Sequence, residues 1–497
     1  MDQVLMNFDW KGMAPEIVIV LAAALLTVLD LLIKDSVPRK WFGWLGFAAT
    51  VAAGVLAVSQ YGRPPREILG GAYRIDSYSV AFKEIILLGT ALVFLSSFLF
   101  GKKELENREG EYHWLLLTGA LGGMIMASSA DLITLFVGLE LLSLSSYILV
   151  GVQKQEGLSN EAAWKYMVLG GVSSAFILYG MSFLYGLSGS TQLFIVKQKI
   201  VDAINSGYQP IILLSLFLMM VGFGFKIAVA PFHMWTPDVY QGAPTPVTVF
   251  LAVVSKTAAF AMVLRVLLIA FYPLFSTEDG NIVVWLLLIL AAASMVLGNA
   301  IALRQTDAKR VMAYSSIAQA GYLLVPLAAL GFLLVPSMLF YSLAYLFMTA
   351  GAFTVVEWVT REAGTTDIRA FAGLSRRSPA LALAMTVFLL SLAGIPVTAG
   401  FVGKLYLLVN AISGMQFWLA GVMVVMTVVS YWYYFEFIRQ MYFRHPVGEA
   451  TRRVPWPVWA VVILCLAGTL GLALFPDSVM HQLGKVDWST AFLMVEK

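Results

Sequence analysis

The chain has 497 residues, of which 60% are hydrophobic and 12% charged, and its mean hydropathy is +0.83. Soluble domains carry about 25% charged residues, so this composition excludes a soluble enzyme and leaves a polytopic membrane protein with no sizeable aqueous domain. A formal net charge of +3 is too small to point to nucleic acid, and a single cysteine, Cys465, excludes an internal disulfide or thiolate metal site.

Apolar runs of membrane length predict an all-α protein of fourteen spans, at 15–34, 40–60, 79–100, 112–129, 131–153, 161–187, 208–235, 243–272, 281–303, 307–331, 333–360, 379–413, 417–444 and 455–475. The first run is too long for the apolar region of a cleaved signal and is expected to stay as a helix. Loops after odd-numbered spans are rich in cations: Lys34, Arg39 and Lys40, then Lys102, Lys103 and Arg108, later Arg361, Arg369, Arg376 and Arg377, then Arg439, Arg444, Arg452 and Arg453. Even loops hold fewer, among them Arg63, Arg66, Arg74, Lys197, Lys199, Lys485 and Lys497, and those after spans 4, 8, 10 and 12 hold none. Positive charge stays on the cytoplasmic side. A multi-pass protein of the bacterial cell (inner) membrane is therefore expected, with both termini on the periplasmic side.

Glu140 sits near the middle of span 5, followed at i+3 and i+7 by Ser143 and Tyr147, so one helical face carries a carboxylate, a hydroxyl and a phenol. A charge at mid-membrane costs about 2.5–3.5 kcal/mol even on the lenient insertion scale. Such a residue either moves charge or locks two helices as an ion pair. Asp131 and Asp307 are placed to cap spans 5 and 10. Lys165, one turn into span 6, reads equally as a snorkelling side chain and as part of a proton path. Span 7 carries Lys226 and then Pro231 and His233, which is either a proton relay or a packing residue. Burial favours the neutral form of a lysine and a nearby carboxylate favours the charged form, so the distance from Glu140 to Lys226 would switch a proton on and off.

Lys256 lies at the centre of span 8, beyond the snorkelling reach of either end, whereas Arg265 near the outer end reads as snorkelling. In span 10, Ser315, Ser316, Gln319 and Tyr322 fall where a repeat would place the Glu140 face. Span 12 is interrupted at Gly394 and Pro396, and Lys404 follows about two turns later. The repeat rests on SSYILV at Ser145–Val150 against AGYLLV at Ala320–Val325, and on Tyr166 against Tyr341, both offset by 175. Five spans, an odd number, intervene, so the second copy is inverted, an arrangement familiar in transporters with broken helices. The expected divisions are 1–110 for spans 1–3, 111–272 for a first repeat of spans 4–8, 273–445 for a second of spans 9–13, and 446–497 for span 14 and the tail.

The stretches KIAVAPFHMWTPDVYQGAPTPVTVFLAVVSKTAAF (226–260), QTDAKRVMAYSSIAQAGYLL (305–324) and LAGIPVTAGFVGKLYLL (392–408) resemble the antiporter-like subunits of respiratory complex I, the proton-pumping NADH:quinone oxidoreductase. TPDVYQGAPTPV and SKTAAF are similar to the subunit N branch. No long extension follows span 14, unlike subunit L, and position 404 is lysine, where subunit M has glutamate. The resemblance covers nearly the whole chain. It implies two inverted five-helix repeats with helices 7 and 12 broken, and proton transfer through Glu140, Lys226, Lys256 and Lys404. It further implies that flavin, iron–sulfur clusters and quinone belong to partner subunits, that this chain binds none of them, and that its partners are other antiporter-like and small membrane subunits, lipid and, indirectly, the peripheral redox arm. A stand-alone cation/proton antiporter of shared ancestry is the alternative.

Overall fold

The computed structural model describes residues 9–33, 39–99, 105, 108–277, 280–445 and 453–493. The loop cations Lys34, Lys102, Lys103, Arg452 and Lys497 lie outside the described residues. The chain is almost entirely helical, because in hydrocarbon the backbone finds hydrogen-bond partners only within its own segment.

In chain order the helices are α1 (Ala14–Leu32), α2 (Lys40–Val58), α3 (Ser77–Ser97), α4 (Glu109–Ser128), α5 (Leu132–Val150), α6 (Gly157–Ser188), α7 (Leu193–Asn205), α8 (Gln209–Ile227), α9 (Thr236–Gly242), α10 (Thr245–Ile269), α11 (Gly280–Ala302), α12 (Ala308–Ala329), α13 (Leu334–Ala363), α14 (Leu374–Arg377), α15 (Pro379–Ala393), α16 (Ala399–Ser413), α17 (Phe417–Phe443), α18 (Trp456–Leu474) and α19 (Pro476–Gly484). A short antiparallel hairpin, β1 (Arg66–Ile68) with β2 (Tyr73–Ile75), precedes α3. Twelve helices are long and apolar enough to cross a membrane. With α4, and with α15 and α16 as one interrupted unit, each expected span finds its helix. The scan for membrane-length runs passes over the amphipathic α7 and the terminal α19, which are too short to register. Helices α10, α12, α13 and α3 are buried on nearly every side, while α1, α2 and α17 bury one face and leave the other to lipid.

Two sets of contacts repeat along the chain. Asp131 caps α5 by accepting from Ile133 N and Thr134 N, and Thr191 donates to its other oxygen. Leu132 N bonds Thr191 O, and Leu193 N bonds Ala130 O, both at 2.9 Å. Asp307 caps α12 through Arg310 N, Thr366 donates to it, Ala308 N bonds Thr366 O at 2.7 Å, and Ile368 N bonds Thr306 O at 2.9 Å. The helix crossings match as well. A Cβ on Gly122 would meet Leu142 N at 2.5 Å and Gly138 O at 2.6 Å, and one on Gly298 would meet Ala318 N at 2.7 Å and Tyr314 O at 2.9 Å. Matching positions are 175 or 176 residues apart, so α4 on α5 and α11 on α12 share one close-packed, small-residue geometry. The two capped ends lie at opposite ends of α10: Gln241, which bonds Asp307, precedes its first turn, and Arg265 near its last turn binds beside the hairpin. Each Asp→Ala replacement is expected to destabilise the fold by about 1 kcal/mol, as loss of an N-cap does. A double variant that melts at the wild-type temperature would contradict this.

The structure corrects the reading of Arg265. It is fully buried rather than snorkelling, and its two terminal nitrogens each lie 3.0 Å from an Asp76 oxygen. Arg74 of β2, also fully buried, reaches the same carboxylate at 3.0 Å and holds Glu67 at 2.8 Å. An opposite charge on a distant segment makes the trip to the headgroups unnecessary. A second buried pair, Lys83 of α3 with Glu16 of α1 at 2.8 Å, was not foreseen.

Candidate functional site: a buried line of polar side chains

The interrupted helices create the site. α8 ends at Ala228 in the left-handed conformation (φ 59°), and α15 ends at Gly394 likewise (φ 80°). Such a break frees carbonyls at a helix C-terminus, where the macrodipole favours a cation. Lys226 lies in the last turn of α8. Lys404 starts from α16, beyond the other break, yet its side chain returns to the end of α15, with Nζ 3.0 Å from Leu392 O and 3.2 Å from Ala393 O. Both ammonium groups thus sit at a half-helix terminus inside the bundle. Ser294 Oγ accepts from Ala230 N, and Ser391 Oγ from Gly400 N, so both breaks are also satisfied by side chains.

Lys226 Nζ donates to Ser143 Oγ at 2.5 Å and lies 5.6 Å from the centre of the Tyr147 ring. Glu140, one turn earlier on α5, accepts from Ser174 of α6 at 2.5 Å and makes no ion pair with Lys226. Carboxylate and ammonium thus share one helix face, each with a serine. The second repeat mirrors this arrangement with different residues. Ser316 and Gln319 of α12 stand 176 positions after Glu140 and Ser143, and Tyr322 stands 175 after Tyr147. Lys404 Nζ lies 4.6 Å from the Tyr322 ring, and Gln319 Nε2 donates at 3.2 Å to the Leu392 carbonyl that Lys404 also uses.

Lys256 joins the two halves. Its Nζ reaches Ser316 O at 2.7 Å and Ser316 Oγ at 2.5 Å, and that hydroxyl also receives Tyr345 at 2.9 Å and contacts Tyr240 at 3.3 Å. The turn before Lys256, Phe250–Ser255, is π-helical, a widening that recurs at functional sites. One turn along α12, Gln319 receives the Tyr341 hydroxyl and approaches Tyr434 at 3.4 Å, while Ser315 shares a hydrogen bond with Tyr434. From Lys256 to Lys404 the hydrogen-bonding groups are nearly continuous. Between Lys226 and Lys256 they are not: Phe225, Trp235 and Tyr240 fill the interval in successive ring contacts, with Tyr166 stacked on Trp235 at 4.5 Å.

Lys226, Lys256 and Lys404 are at most 5% exposed, and no carboxylate lies within ion-pairing distance of any of them. Every other arrangement of a buried lysine described above uses an acid, as Lys83 does with Glu16. Lys165 stands apart from the line. It is 39% exposed and pairs with Glu161 at 2.7 Å and Asp238 at 2.6 Å, and the other Asp238 oxygen takes Arg310 at 2.7 Å. His233 follows the break, half-buried, and has no hydrogen bond or ion pair with Lys226 or Lys256. Sequence reasoning missed Ser174, Tyr345, Tyr434 and Asp238. Hydroxyls in apolar helices carry no signal of direction, and Asp238 drew no notice inside the TPDVYQGAP stretch. Among the described residues no group of three or more His, Cys, Asp and Glu side chains could hold a metal ion.

The family model described as NADH:quinone oxidoreductase/Mrp antiporter, transmembrane, matches residues 129–430. The NADH-quinone oxidoreductase subunit N of Brevibacillus brevis is 47% identical over 483 residues, covering 95% of this chain and 94% of that protein. A chain in the structure of respiratory complex I from Thermus thermophilus with bound aureothin is 33% identical, with a TM-score of 0.78 over 94% of this chain and 98% of its own. A chain of the Mrp complex from Dietzia sp. DQ12-45-1b has a TM-score of 0.83 at 19% identity, covering 97% of each, a likeness of fold alone.

Proposed function

Since the chain belongs to the NADH:quinone oxidoreductase/Mrp antiporter family, in its subunit N branch, we propose that Glu140, Lys226, Lys256 and Lys404 carry protons across the membrane arm of such an oxidoreductase. The chain is an antiporter-like membrane subunit, and redox chemistry belongs to its partners: flavin, iron–sulfur clusters and quinone are assigned to other subunits. The observation that carries the reading is the set of three buried ammonium groups bonded to hydroxyl and carbonyl oxygens alone. A permanent structural charge in a low-dielectric interior calls for an opposite charge. A group that alternates between ammonium and amine calls for acceptors that tolerate both.

Residues 111–272 and 273–445 act as the two copies of an inverted repeat, each holding one lysine at a broken helix, with Lys256 between them. Quinone reduction in a partner alters the charge facing Glu140. The Glu140–Lys226 interaction then changes, and Lys226 passes its proton through water admitted beside Trp235 and Tyr240 to Lys256, and on by Ser316 and Gln319 to Lys404. Lys165 and His233, both partly exposed, belong to the approach from the surface. The cation-rich loops face the cytoplasm, which puts both termini on the periplasmic side of the inner membrane. Moving one charge against 100 mV costs about 2.3 kcal/mol, within the range that a change of one buried charge partner supplies.

Gln319→Leu tests the path. Leucine keeps the volume but offers nothing to Tyr341, Tyr434 or Leu392 O. Loss of one hydrogen bond, about 1.4 kcal/mol, from a limiting transfer slows it about tenfold. Dye-reported proton uptake by proteoliposomes of the whole complex should fall accordingly, and uptake at the wild-type rate would sink the assignment.

A further inference from the structure

Three cavities lie in series along the lipid side of α17. At the cytoplasmic end a polar pocket of about 310 Å³ is lined by Arg369, Arg439 and Arg444 with Asp367, Glu436 and Gln440. It adjoins an apolar groove of about 670 Å³ walled by Leu303, Val428, Phe435 and Phe443, with Trp432, Glu436 and Arg439 common to both. The groove in turn shares Val428 and Tyr431 with a crevice of about 180 Å³ whose inner wall is Lys404. Arg439 is committed to Glu436 at 2.8 Å, and Asp367 caps the Arg369 backbone. The Arg369 and Arg444 guanidinium groups have no carboxylate partner among the described residues.

A cationic mouth at the membrane surface that opens into an apolar trough is an amphiphile's outline in negative. The depth also fits. From Gln440, at the polar pocket, to Thr427, beside Lys404, α17 rises about 20 Å, close to a phosphate plus the roughly 15 Å of hydrocarbon in one leaflet. Basic pockets between membrane helices on the cytoplasmic side are known hosts of anionic headgroups. A transmembrane helix of a partner would cross both leaflets, whereas this trough ends at mid-depth. The geometry points to a bound anionic diacyl phospholipid on α17, with its phosphate held by Arg369 and Arg444 and one acyl chain in the groove reaching the crevice at Lys404. The tail closes the lateral opening of that crevice and keeps lipid-side water from the ammonium. The same helix presents Tyr434 to Ser315 and Gln319 on its other face, so the lipid braces a wall of the polar line.

The test uses the intact purified complex in vesicles doped with phosphatidylglycerol or phosphatidylcholine bearing a diazirine in the acyl tail, with labelled peptides mapped by mass spectrometry. Phosphatidylglycerol should label residues 428–443 several-fold more than phosphatidylcholine, and the Arg369→Gln, Arg444→Gln double variant should bring it down to the phosphatidylcholine level. Equal labelling by the two lipids, meaning annular lipid only, overturns the proposal, and so does no labelling by either, meaning a groove covered by protein. If the double variant does not assemble, Val428→Trp fills the groove with both arginines in place, and undiminished labelling there overturns it as well.

Discussion

Lys226→Ala is expected to abolish proton translocation by the intact complex and to slow coupled quinone reduction, and Lys226→Arg is expected to do the same. The pair of substitutions separates a carrier from a strut. Lys226 is bonded to Ser143 and faces the Tyr147 ring, with Glu140 one helical turn away and engaged by Ser174. Alanine removes the charge and leaves no carboxylate orphaned, because none is paired to the lysine, so assembly should survive. Arginine keeps the positive charge and offers more donors, but it does not release its proton in proteins. A structural cation would therefore be rescued by arginine, and a proton carrier would not. Positioned acid–base groups contribute about a hundredfold or more to proton-transfer steps, so the loss in pumping should be near complete in both variants. Proton uptake and NADH oxidation measured together in proteoliposomes, beside the amount of assembled complex on native gels, decide the matter. An arginine variant that pumps at the wild-type rate would refute the carrier role.

The chemistry of the site was legible where one residue contradicts its surroundings. Glu140, Lys226 and Lys256 stand out because an apolar helix makes a charge conspicuous, and Asp131 and Asp307 because a carboxylate one residue before a helix has a job to do there. The repeat was visible in a few residues at offset 175, and the matched contacts of Gly122 and Gly298 extend it into packing. What the chain order hides is direction and partnership between helices. Nothing local tells that Lys404 turns back across the break to carbonyls 11 and 12 residues earlier, or that Ser316 is where Lys256 ends. Lys83 and Glu16 went unnoticed because residues near span ends read as interfacial until the opposing helix is in view. Arg265 was misjudged for the same reason: its depth was readable, but the acid that holds it comes from 189 residues away.

That acid should be the most damaging single site in the N-terminal half. Asp76 receives Arg265 through two hydrogen bonds, Arg74 through a third and Ser79 N as the α3 cap at 2.7 Å, with the carboxylate and both guanidinium groups buried. Arg74 also donates to Leu493 O at 2.8 Å and to Thr490 O at 2.5 Å, so the cluster pins the C-terminal segment onto the hairpin. Asp76→Asn keeps the shape and an acceptor while removing the only fully buried negative charge between two arginines. Breaking a buried pair from one side destabilises by about 3–5 kcal/mol, since the surviving charge is left unpaired, against a total stability of about 5–15 kcal/mol for a typical protein. The variant should be scarce in the membrane and absent from assembled complex. Arg265→Met combined with Asp76→Asn removes a charge of each sign from the cluster, so it should recover part of the loss; the cost of the two together would then be less than the sum of the separate costs. Wild-type levels of complex with Asp76→Asn, at an unchanged melting temperature, would show that water or another acid compensates the two arginines and that the clasp is not what holds the terminus in place.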